Sequence, residues 1–541
     1  MPLTPDMRRR IDQIRGYLYG GGFPDPLSNA EQLAFLFFFL LVEGIDADNG
    51  AQAEEQGEPY RSLFAGEWEL RNPLNAPAPG VAAIPAERFR WSVWARGMSG
   101  EPLVRFVRDE VFPFFSQLAQ SLGASFMAGA RLAIDEPTVL TQVVELVDGL
   151  GLGATDADTK GDLFEHVLRQ VKQAGELGQF RTPRHIIRAV VRLVDPKAGE
   201  TVYDPAAGTA GFLVAAYDHI RLANSSPAGT EEVEVDGKTL RRGAGDRLNA
   251  RQWRRLRTGT FFGNDVDPKM VNLATMNLTL RGLPDVRILR RNVLTTVMDR
   301  AKKAERGLPL EGFDVVLANP PFSGRVDRDR IVDEVRVGST TATELLFLRY
   351  MLDALKPGGR CGVVVPEGVL FGSTGAHKEL RRMLMEETAV EAVLSLPGGV
   401  FQPYSGVKTS VLVFHKGRRT ERVMFLHTEA DGYKLDANHD TLIEADDLPG
   451  LVSAFAEREA CWERWRTRDA KALWGEKWWF AEATALREAD NNLSAGRWRP
   501  QAREQIRHRD PLVLLDELKA IEAEIAEEVD ALMEKLREGA A

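Results

Sequence analysis

Residues 201–213 read Thr201-Val-Tyr-Asp-Pro-Ala-Ala-Gly-Thr-Ala-Gly-Phe-Leu213, an apolar strand followed by a tight turn of small residues and the start of a helix. Its glycines let the backbone approach a ligand closely, although many nucleotide-binding folds share such a turn. The turn lacks the lysine of a P-loop, which disfavours phosphate binding. Asp204, at the strand end, can instead accept a hydrogen bond from a ligand ammonium, which suits the methionine moiety of S-adenosylmethionine. The cofactor-binding residues predicted on this turn are Asp204, Gly208, Thr209, Ala210 and Gly211.

Around this turn, helical and strand-like segments alternate from residue 161 to about residue 416. Such alternation is typical of a parallel sheet built from β-α-β units, whose ligands sit beyond the carboxyl ends of the strands. The sequence therefore predicts an α/β fold with a doubly wound, Rossmann-like sheet. The predicted strands are Thr201–Tyr203, Thr260–Phe262, Val286–Leu289, Phe313–Leu317, Arg360–Val365, Val390–Leu396 and Ser410–Phe414.

A second wall of the cofactor pocket follows the next strand, in Gly263-Asn-Asp-Val-Asp-Pro268. Asp265 is placed to accept hydrogen bonds from both hydroxyls of a ribose, as an acidic residue does in dinucleotide-binding folds. Asp267 competes for this role, but its position before a proline also suits the N-cap of a helix over Met270–Leu280. We favour Asp265 because it is nearer the strand end.

A third wall is predicted upstream, where Gly178-Gln-Phe-Arg-Thr-Pro-Arg184 opens a helix that runs to Val194. Taken alone, this segment is only a well-capped helix with a proline in its first turn. Next to the other two motifs, its N-terminus and threonine hydroxyl can hold the cofactor carboxylate. The residues predicted for this wall are Gln179, Phe180, Arg181, Thr182, Pro183 and Arg184.

The sharpest chemical signal is Ala318-Asn-Pro-Pro-Phe-Ser323, directly after the fourth strand. Two prolines fix the backbone just past Asn319, so that its amide and the Pro320 carbonyl can point at one spot. An exocyclic amine that donates both hydrogens to these oxygens is drawn towards tetrahedral geometry, which frees its lone pair for in-line attack on a sulfonium methyl. Phe322 would stack on a base flipped from a duplex. The predicted catalytic residues are Asn319, Pro320, Pro321 and Phe322.

The rest of the chain is predicted as flanking domains. Residues 1–155 indicate an all-helical N-terminal domain, 156–420 the catalytic domain, and 421–510 a linker with a small C-terminal region. Residues 511–541 indicate a C-terminal helix whose apolar stripe suits packing against a partner helix, with a core helix of the same chain as the alternative. The stripe consists of Leu514, Leu518, Ile521, Ile525, Val529, Leu532 and Leu536.

Composition excludes several classes of protein. The chain has 44% hydrophobic and 27% charged residues, and its most apolar stretch, Ala34–Val42, is far too short to cross a bilayer. We therefore expect a buried helix there and no membrane contact. No export signal is recognised near the three arginines at positions 8–10, so a cytoplasmic location is expected. Cys361 and Cys461 have no ligand neighbours at metal-binding spacing, and no disulfide and no metal site are expected.

The net charge of −10 is unfavourable for holding DNA alone, because phosphate contacts supply most non-specific affinity, and a basic partner would resolve this. Charge is unevenly spread, however. Residues 241–257 carry seven arginines against Asp246. This segment is either a phosphate-facing surface or a solvated loop and helix, and the sequence favours neither. The arginines are Arg241, Arg242, Arg247, Arg251, Arg254, Arg255 and Arg257.

Together these motifs resemble the modification subunits of type I restriction–modification systems, which are amino-methyltransferases of the γ class. The resemblance covers nearly the whole chain, and Leu396–Thr409 is its most specific segment. The other segments that carry it are Gly161–Glu165, Gly178–Arg184, Asp204–Leu213, Gly263–Asp265, Met276–Leu278, Asn319–Phe322, Glu344–Phe347 and Val365–Phe371.

The resemblance implies a class I S-adenosylmethionine-dependent methyltransferase sheet that methylates adenine N6 in double-stranded DNA. It also implies a C-terminal helix that docks on a specificity subunit shared with a second modification subunit; an ATP-dependent restriction subunit is a further candidate partner. Two positions depart from the family pattern. Asn292 stands where an acidic residue often contacts the cofactor adenine, and Asp265 replaces the commoner glutamate. Asn292 can still pair with the adenine amine, so it remains a predicted cofactor-binding residue.

Three other functions compete with this interpretation. A protein glutamine N5-methyltransferase uses the same turn on a primary amide, but tyrosine usually follows the prolines where this chain has Phe322. Cytosine N4 is an exocyclic amine with the same geometry, but the enzymes that methylate it more often have serine at the position of Asn319. A non-catalytic DNA-binding scaffold of a defence complex would be expected to lose the turn. The chain also lacks a G-x-x-x-x-G-K-[ST] signature, so we do not expect it to translocate or cut DNA.

Overall fold

The chain divides into two compact units, Met1–Thr467 with Lys477–Trp498, and Arg468–Glu476 with Arg499–Ala541. No helix in the part of the chain described here is long and apolar enough to cross a membrane. The computed structural model describes residues 5–23, 25–57, 59–70, 82–121, 127, 130–152, 157–171, 182–235, 237–283, 285–402, 405–436, 439, 441–467, 476–500, 515, 518, 519, 521–523, 525, 526, 528 and 529.

The N-terminal third of the chain forms mainly helices, which pack around an aromatic core; it was predicted to be all-helical, but two short strands also pair within it. Rings stack at its centre, with 4.5 Å between the centroids of Phe39 and Phe115. Residues 33–42 are all buried, which confirms the expected core helix. The elements are α1 (Pro5–Gly20), α2 (Pro26–Gln56), β1 (Glu67–Trp68), β2 (Ile84–Pro85), α3 (Trp91–Trp94), α4 (Gly100–Phe106), α5 (Phe112–Ser121), α6 (Pro137–Asp148) and α7 (Ala157–Val171).

The remainder of the first unit alternates strands and helices. The elements up to residue 354 are α8 (Arg184–Val194), β3 (Val202–Asp204), α9 (Gly211–Ala223), β4 (Thr230–Val235), β5 (Lys238–Gly243), α10 (Ala250–Thr258), β6 (Phe261–Asp265), α11 (Pro268–Leu280), β7 (Arg287–Arg290), α12 (Arg300–Glu305), β8 (Phe313–Ala318) and α13 (Thr343–Ala354). Those that follow are β9 (Leu355–Pro366), α14 (Glu367–Phe371), α15 (Gly375–Glu387), β10 (Thr388–Ser395), β11 (Thr409–Lys416), β12 (Arg422–His427), β13 (Asp431–Tyr433), β14 (Leu442–Asp446), α16 (Leu448–Ala456), α17 (Arg458–Thr467), β15 (Trp478–Glu482), α18 (Ala483–Glu488) and α19 (Ala495–Trp498).

Nine of these strands form one sheet in the order β15-β12-β10-β11-β9-β8-β3-β6-β7. From β9 to β7 neighbouring strands are parallel, whereas β11 runs antiparallel to both β9 and β10. The order reverses at β3, from which the chain first extends to β6 and β7 and then returns to β8. Ligands of open α/β sheets bind at such a switch point, beyond the strand ends, so the topology places the site next to β3. The predicted doubly wound α/β fold is confirmed.

All seven predicted strands are present, as β3 and β6 to β11, with end points shifted by a few residues. The sheet nevertheless continues past residue 420, where the predicted catalytic domain ends, because β12 and β15 add two strands at that edge. Helix α7 was assigned to the catalytic domain. Its apolar side chains instead share the N-terminal core with four residues of α11: Met270, Leu273, Met276 and Leu280.

The second unit contains the predicted C-terminal helix. Each described position from 515 to 529 is helical. The stripe residues Leu518, Ile521, Ile525 and Val529 are between 50% and 57% exposed, so a substantial apolar surface lies open along this helix. Leu514, Leu532 and Leu536 of the predicted stripe lie outside the described residues.

Candidate active site

The carboxyl ends of β3 and β6 bring the first two predicted walls together. The strands pair in parallel register, with Asp204 opposite Gly263. The turn after β3 is then fixed from β6, because the Ala207 amide donates to the Asn264 carbonyl at 2.9 Å and the Gly208 amide to the Asp265 carboxylate at 3.0 Å. Gly208 has a φ of +51°, a left-handed conformation that glycine adopts without strain. The glycine turn and the ribose-binding candidate thus form one rigid edge.

Asp204 lies at the bottom of this edge and is only 1% exposed. One of its oxygens accepts a hydrogen bond from the Ala206 amide at 3.0 Å. Burial, together with the negative charge of Asp265, raises the pKa of Asp204 to about 8. Burial also raises the pKa of Asp265. A buried and a half-buried carboxyl group, both with raised pKa values, form an acidic site that favours a cationic ligand group.

Asp265 and Asp267 have separate tasks. Asp267 accepts a hydrogen bond from the Lys269 amide at 2.8 Å and caps α11, so its alternative interpretation as an N-cap is confirmed. Asp265 accepts hydrogen bonds from backbone amides and points its carboxylate towards the glycine turn. Its carbonyl also receives the Arg291 amide at 2.9 Å, which anchors the loop after β7.

That loop carries Asn292, which is exposed. The Asn292 side-chain oxygen accepts a hydrogen bond from the Leu294 amide at 3.0 Å. One lone pair of this oxygen is therefore used within the loop, and the amide nitrogen of Asn292 is a donor. A donor suits a ring nitrogen of adenine, whereas the adenine amine needs an acceptor. The oxygen has a second lone pair, so Asn292 can accept a hydrogen bond from the adenine amine, as predicted, without breaking this loop bond.

The third wall is the start of α8. Thr182 is buried, Pro183 occupies the N-cap position, and Arg184 forms an ion pair with Glu165 of α7. Arg184 therefore joins two helices. The other predicted residues of this wall, Gln179, Phe180 and Arg181, lie outside the described residues.

The predicted catalytic turn follows β8, the neighbour of β3 on the other side. The Asn319 side-chain nitrogen donates to the Thr182 hydroxyl oxygen at 2.8 Å, which links the turn to the start of α8. The Asn319 side-chain oxygen is buried and has no hydrogen-bond partner. A buried acceptor without a partner costs about 1–3 kcal/mol, so this oxygen is poised for a donor that arrives with a ligand. Thr182, predicted as a cofactor residue, also holds the Asn319 amide in place.

Phe322 contacts Phe401, which belongs to Leu396–Thr409, the most specific segment of the family resemblance. Its ring packs edge-on against Phe401, with 5.0 Å between centroids and an interplanar angle of 89°. Phe322 is only 6% exposed, whereas Pro321 beside it is exposed. A base that stacks on Phe322 would therefore have to displace part of its present cover. Phe401, in the segment that carries the most specific part of the resemblance, thus lies directly beside the predicted catalytic turn.

The ends of adjacent strands therefore carry two neighbouring carboxyl groups, one of them fully buried, a left-handed glycine turn and an unsatisfied asparagine oxygen. Residues 155–507 match the family model for N-6 DNA methylases. The chain belongs to this family.

Relatives of this DNA methylase include methylase subunits of type I restriction enzymes. The EcoEI subunit of Escherichia coli is 31% identical over 363 residues, covering 64% of this chain and 67% of the relative. The StySJI subunit of Salmonella typhimurium is 28% identical over 452 residues, covering 78% and 77%. A solved chain of a type I R-M system has a TM-score of 0.66 at 26% identity and covers 99% of both chains. The resemblance drawn from the sequence is confirmed, and the chain is a site-specific DNA methyltransferase of a restriction–modification system.

The methylase site also depends on residues to which the sequence gave no role. The Asn277 side-chain nitrogen donates to the Thr209 carbonyl at 2.9 Å, so α11 supports the glycine turn from below. The Tyr203 hydroxyl donates to the Asn264 side chain at 2.6 Å and joins β3 to β6. Asn277 lies in the Met276–Leu278 segment that carried the resemblance. A buried asparagine in an apolar helix was therefore the available signal for this role.

The arginine-rich segment forms β5, the following loop and α10. Arg242 pairs with Asp162 at 2.7 Å, and the Arg257 side chain donates to the Gly282 carbonyl at 3.1 Å, so these two arginines serve internal packing. The role of the others as a phosphate-facing surface remains a prediction. Those that are exposed are Arg241, Arg247, Arg251, Arg254 and Arg255.

Proposed function

We propose that this methylase transfers a methyl group from S-adenosylmethionine to adenine N6 in double-stranded DNA, at the pocket between the ends of β3, β6 and β8. The observation that carries the proposal is the buried, unpartnered oxygen of Asn319, which is fixed by the bond from its amide nitrogen to Thr182. An exocyclic amine is a donor that fits this acceptor. The residues fit the cofactor as well, because the Asp204 carboxylate can accept the ammonium group and Asp265 the ribose hydroxyls.

When bound, S-adenosylmethionine supplies an electrophilic methyl group on its sulfonium. Asn319 and the Pro320 carbonyl accept the two hydrogens of the target amine and localise its lone pair on nitrogen. Phe322 supports the flipped base by stacking, which offsets part of the cost of unstacking it from the duplex. The amine releases one proton after methyl transfer, so none of these residues needs to act as a general base beforehand.

The proposed assembly follows from the relatives and from the charge of the chain. The relatives are subunits of type I restriction enzymes, and this chain carries a net charge of −10. We therefore assign target recognition and much of the DNA affinity to a specificity subunit, shared with a second copy of this chain. An ATP-dependent restriction subunit would join the same complex. The cytoplasm, where the DNA substrate lies, is the proposed location.

The decisive experiment measures transfer of labelled methyl groups to unmethylated genomic DNA, with and without the specificity subunit, followed by nucleoside analysis. N6-methyladenine that forms only with the partner is the expected result. N4-methylcytosine would reassign the base. Absence of label in DNA despite cofactor binding would favour glutamine methylation or a scaffold, and an assay with protein substrates would separate these two functions.

Two variants test whether Asn319 acts in methyl transfer and Asp265 in cofactor binding. Asn319→Ala removes the acceptor for the amine, so we expect transfer to fall by about a hundredfold or more while cofactor affinity stays close to that of the wild type. Asp265→Ala should chiefly weaken cofactor binding, measured by calorimetry. Equal losses of transfer and cofactor affinity in both variants would contradict the assigned roles.

A further inference from the structure

A second buried polar cluster lies beside the pocket and belongs to none of its walls. It consists of His185 in the first turn of α8, Asp431 at the start of β13, and His439 before β14. The Nε2 atoms of both histidines lie 2.9 Å from one oxygen of Asp431, and the three ligand atoms lie within 4.8 Å of one another. Asp431 is fully buried and His439 is 5% exposed. Three potential metal ligands from separate elements therefore converge out of water.

The hydrogen bonding of His439 indicates its tautomer and therefore whether its Nε2 atom carries a proton or a lone pair. The Nδ1 atom lies 3.2 Å from the Val400 carbonyl oxygen, which can only accept, so Nδ1 carries a proton. In a neutral ring Nε2 then carries a lone pair, which faces the carboxylate oxygen of Asp431 across 2.9 Å. Nε2 is buried and makes no hydrogen bond with acceptable geometry. A cation between the two atoms would convert this repulsive contact into two favourable bonds.

His439 is held in the way that metal-binding histidines usually are, by a hydrogen bond from its second ring nitrogen. Histidines that bind metals commonly donate their second ring N–H to a backbone carbonyl or a carboxylate, which fixes the tautomer and aims the other nitrogen. His439 does this through Val400. Asp431 is held in a similar way, because its other oxygen accepts a hydrogen bond from the Tyr433 amide at 3.2 Å.

The spacing suits a small ion of borderline softness. Zinc bonds of about 2.0–2.2 Å to nitrogen and oxygen place neighbouring ligands of a tetrahedral site roughly 3.3 Å apart. The two nitrogen–oxygen separations of 2.9 Å therefore need to open by only about half an ångström. Imidazole nitrogen suits zinc and its neighbours in the first transition series, whereas magnesium and calcium prefer oxygen ligands.

The surroundings would keep such an ion fixed. Tyr433 stacks on His185 with 4.5 Å between ring centroids, and the ammonium of Lys238 lies 4.6 Å from the centre of the Tyr433 ring. Lys238 is itself paired with Asp446 at 2.6 Å, which neutralises its charge beside the cluster. Lys238, at the start of β5, therefore lies against the Tyr433 ring that stacks on His185.

We propose that His185, Asp431 and His439 bind one divalent transition-metal ion, zinc fitting best, with water as the remaining ligand. The ion fastens the start of α8 to the segment from β13 to β14 and, through Val400, to the loop that carries Phe401. It therefore stabilises two sides of the catalytic pocket without contacting the reacting atoms. This assignment does not rest on the proposed methyl transfer, and it replaces the expectation of no metal site that was based on cysteine spacing alone.

The test uses the full chain, purified without chelators and then supplied with Co²⁺, whose visible absorption reports its ligands. Expected results are visible bands that saturate at about one Co²⁺ per chain, competition by Zn²⁺, and a melting temperature lowered by chelator. His185→Gln and His439→Gln should each lose the bands. His427→Gln is the matched control, because that histidine also lies beside a carboxylate, that of Glu429 at 3.6 Å, and should keep them.

The competing arrangement is a doubly protonated His439 paired with Asp431. It would give a wild-type protein that binds no Co²⁺ and has the same melting temperature with and without chelator, and this result would overturn the proposal. Bands that persist in both glutamine variants would overturn it as well, because the ion would then lie elsewhere. The titration of the wild-type chain decides the matter even if a variant fails to fold.

Discussion

At the scale of single residues, the pocket is defined by polar groups whose present surroundings leave them incompletely satisfied. Asp204 is buried with a pKa raised to about 8, mainly by desolvation, and the Asn319 oxygen is buried without a hydrogen donor. Both features disfavour the ligand-free protein and are relieved by a ligand that brings an ammonium group or an amine. Part of the binding free energy of such a ligand therefore comes from satisfying these two polar groups.

The raised pKa of Asp204 predicts pH-dependent cofactor binding. At neutral pH the carboxyl group is mostly protonated, and an incoming ammonium requires the ionised form, so binding should release a proton. Affinity should therefore increase with pH, by up to about tenfold per unit, and level off above pH 8. In the free protein, the same shift contributes stability that is present below the ordinary pKa of 3.8 and lost as the pH rises through about 8.

Calorimetry in two buffers with different ionisation enthalpies measures this proton release directly. Asp204→Asn should abolish both the proton release and the pH dependence. Asp267→Asn is the matched control, since Asp267 caps a helix next to the pocket and should leave both effects in place. Binding to the wild-type protein at pH 7 without proton release would show that Asp204 is already ionised.

The site residues show how far sequence reasoning reaches at this scale. Asp204, Asp265 and Asn319 were predicted from their positions at strand ends, and the fold brings those ends together. The bond between Thr182 and Asn319 spans 137 residues, and no local pattern specifies such a contact. The histidine cluster was missed for the same reason, because 246 residues separate His185 from Asp431.

At the scale of elements, the contact between α7 and α11 explains a glycine in the family signature. Gly161 is buried on α7, and a Cβ atom there would lie 2.7 Å from Cγ of Arg281 at the end of α11. Arg281 is almost fully buried and pairs with Asp162 at 3.4 Å and Glu165 at 3.2 Å. The glycine therefore makes room for a cation that neutralises two acids of α7.

This contact predicts that Gly161→Ala destabilises the fold. The methyl group would displace Arg281 from its acidic partners, and overpacking of this kind costs about 1–3 kcal/mol in the free energy of unfolding. Gly16→Ala in α1 is the matched control, since a Cβ atom there meets nothing within 4 Å and alanine favours a helix. Urea denaturation of both variants measures the difference. Equal stability of the two variants would mean that α7 and α11 can separate without loss.

The sheet shows the same limit of local patterns. Strands β3 and β6 to β11 were predicted because each forms a short apolar run bounded by turn residues. β12 and β15 were missed, although both are largely buried, because they pair with each other across 50 residues of intervening chain that includes two helices. Local sequence indicates a strand, whereas its place in the sheet depends on a partner that is distant along the chain.

At the scale of the whole molecule, a negatively charged enzyme must act on a polyanion. The net charge of −10 opposes binding to DNA, and the exposed arginines near α10 offset it only locally. The C-terminal helix offers a complementary feature, since its described apolar residues are half exposed and repeat at helical spacing. A partner that covers this stripe would supply the positive surface that the chain lacks.

The apolar stripe predicts that a charge placed within it weakens binding to the specificity subunit, whereas the same charge elsewhere on the helix does not. Ile521→Glu places a carboxylate in the middle of the apolar face, where burial against a partner helix would require its desolvation, so we expect affinity for the specificity subunit to fall by about tenfold or more. Ala523→Glu adds the same charge about 200° around the helix and should bind nearly as well as the wild type. Gel filtration and a titration with labelled specificity subunit measure both. Thermal melting separates docking from folding: a stripe that serves only docking leaves the melting temperature of the isolated chain unchanged, whereas a lower melting temperature in Ile521→Glu alone would make the helix part of this chain's own core.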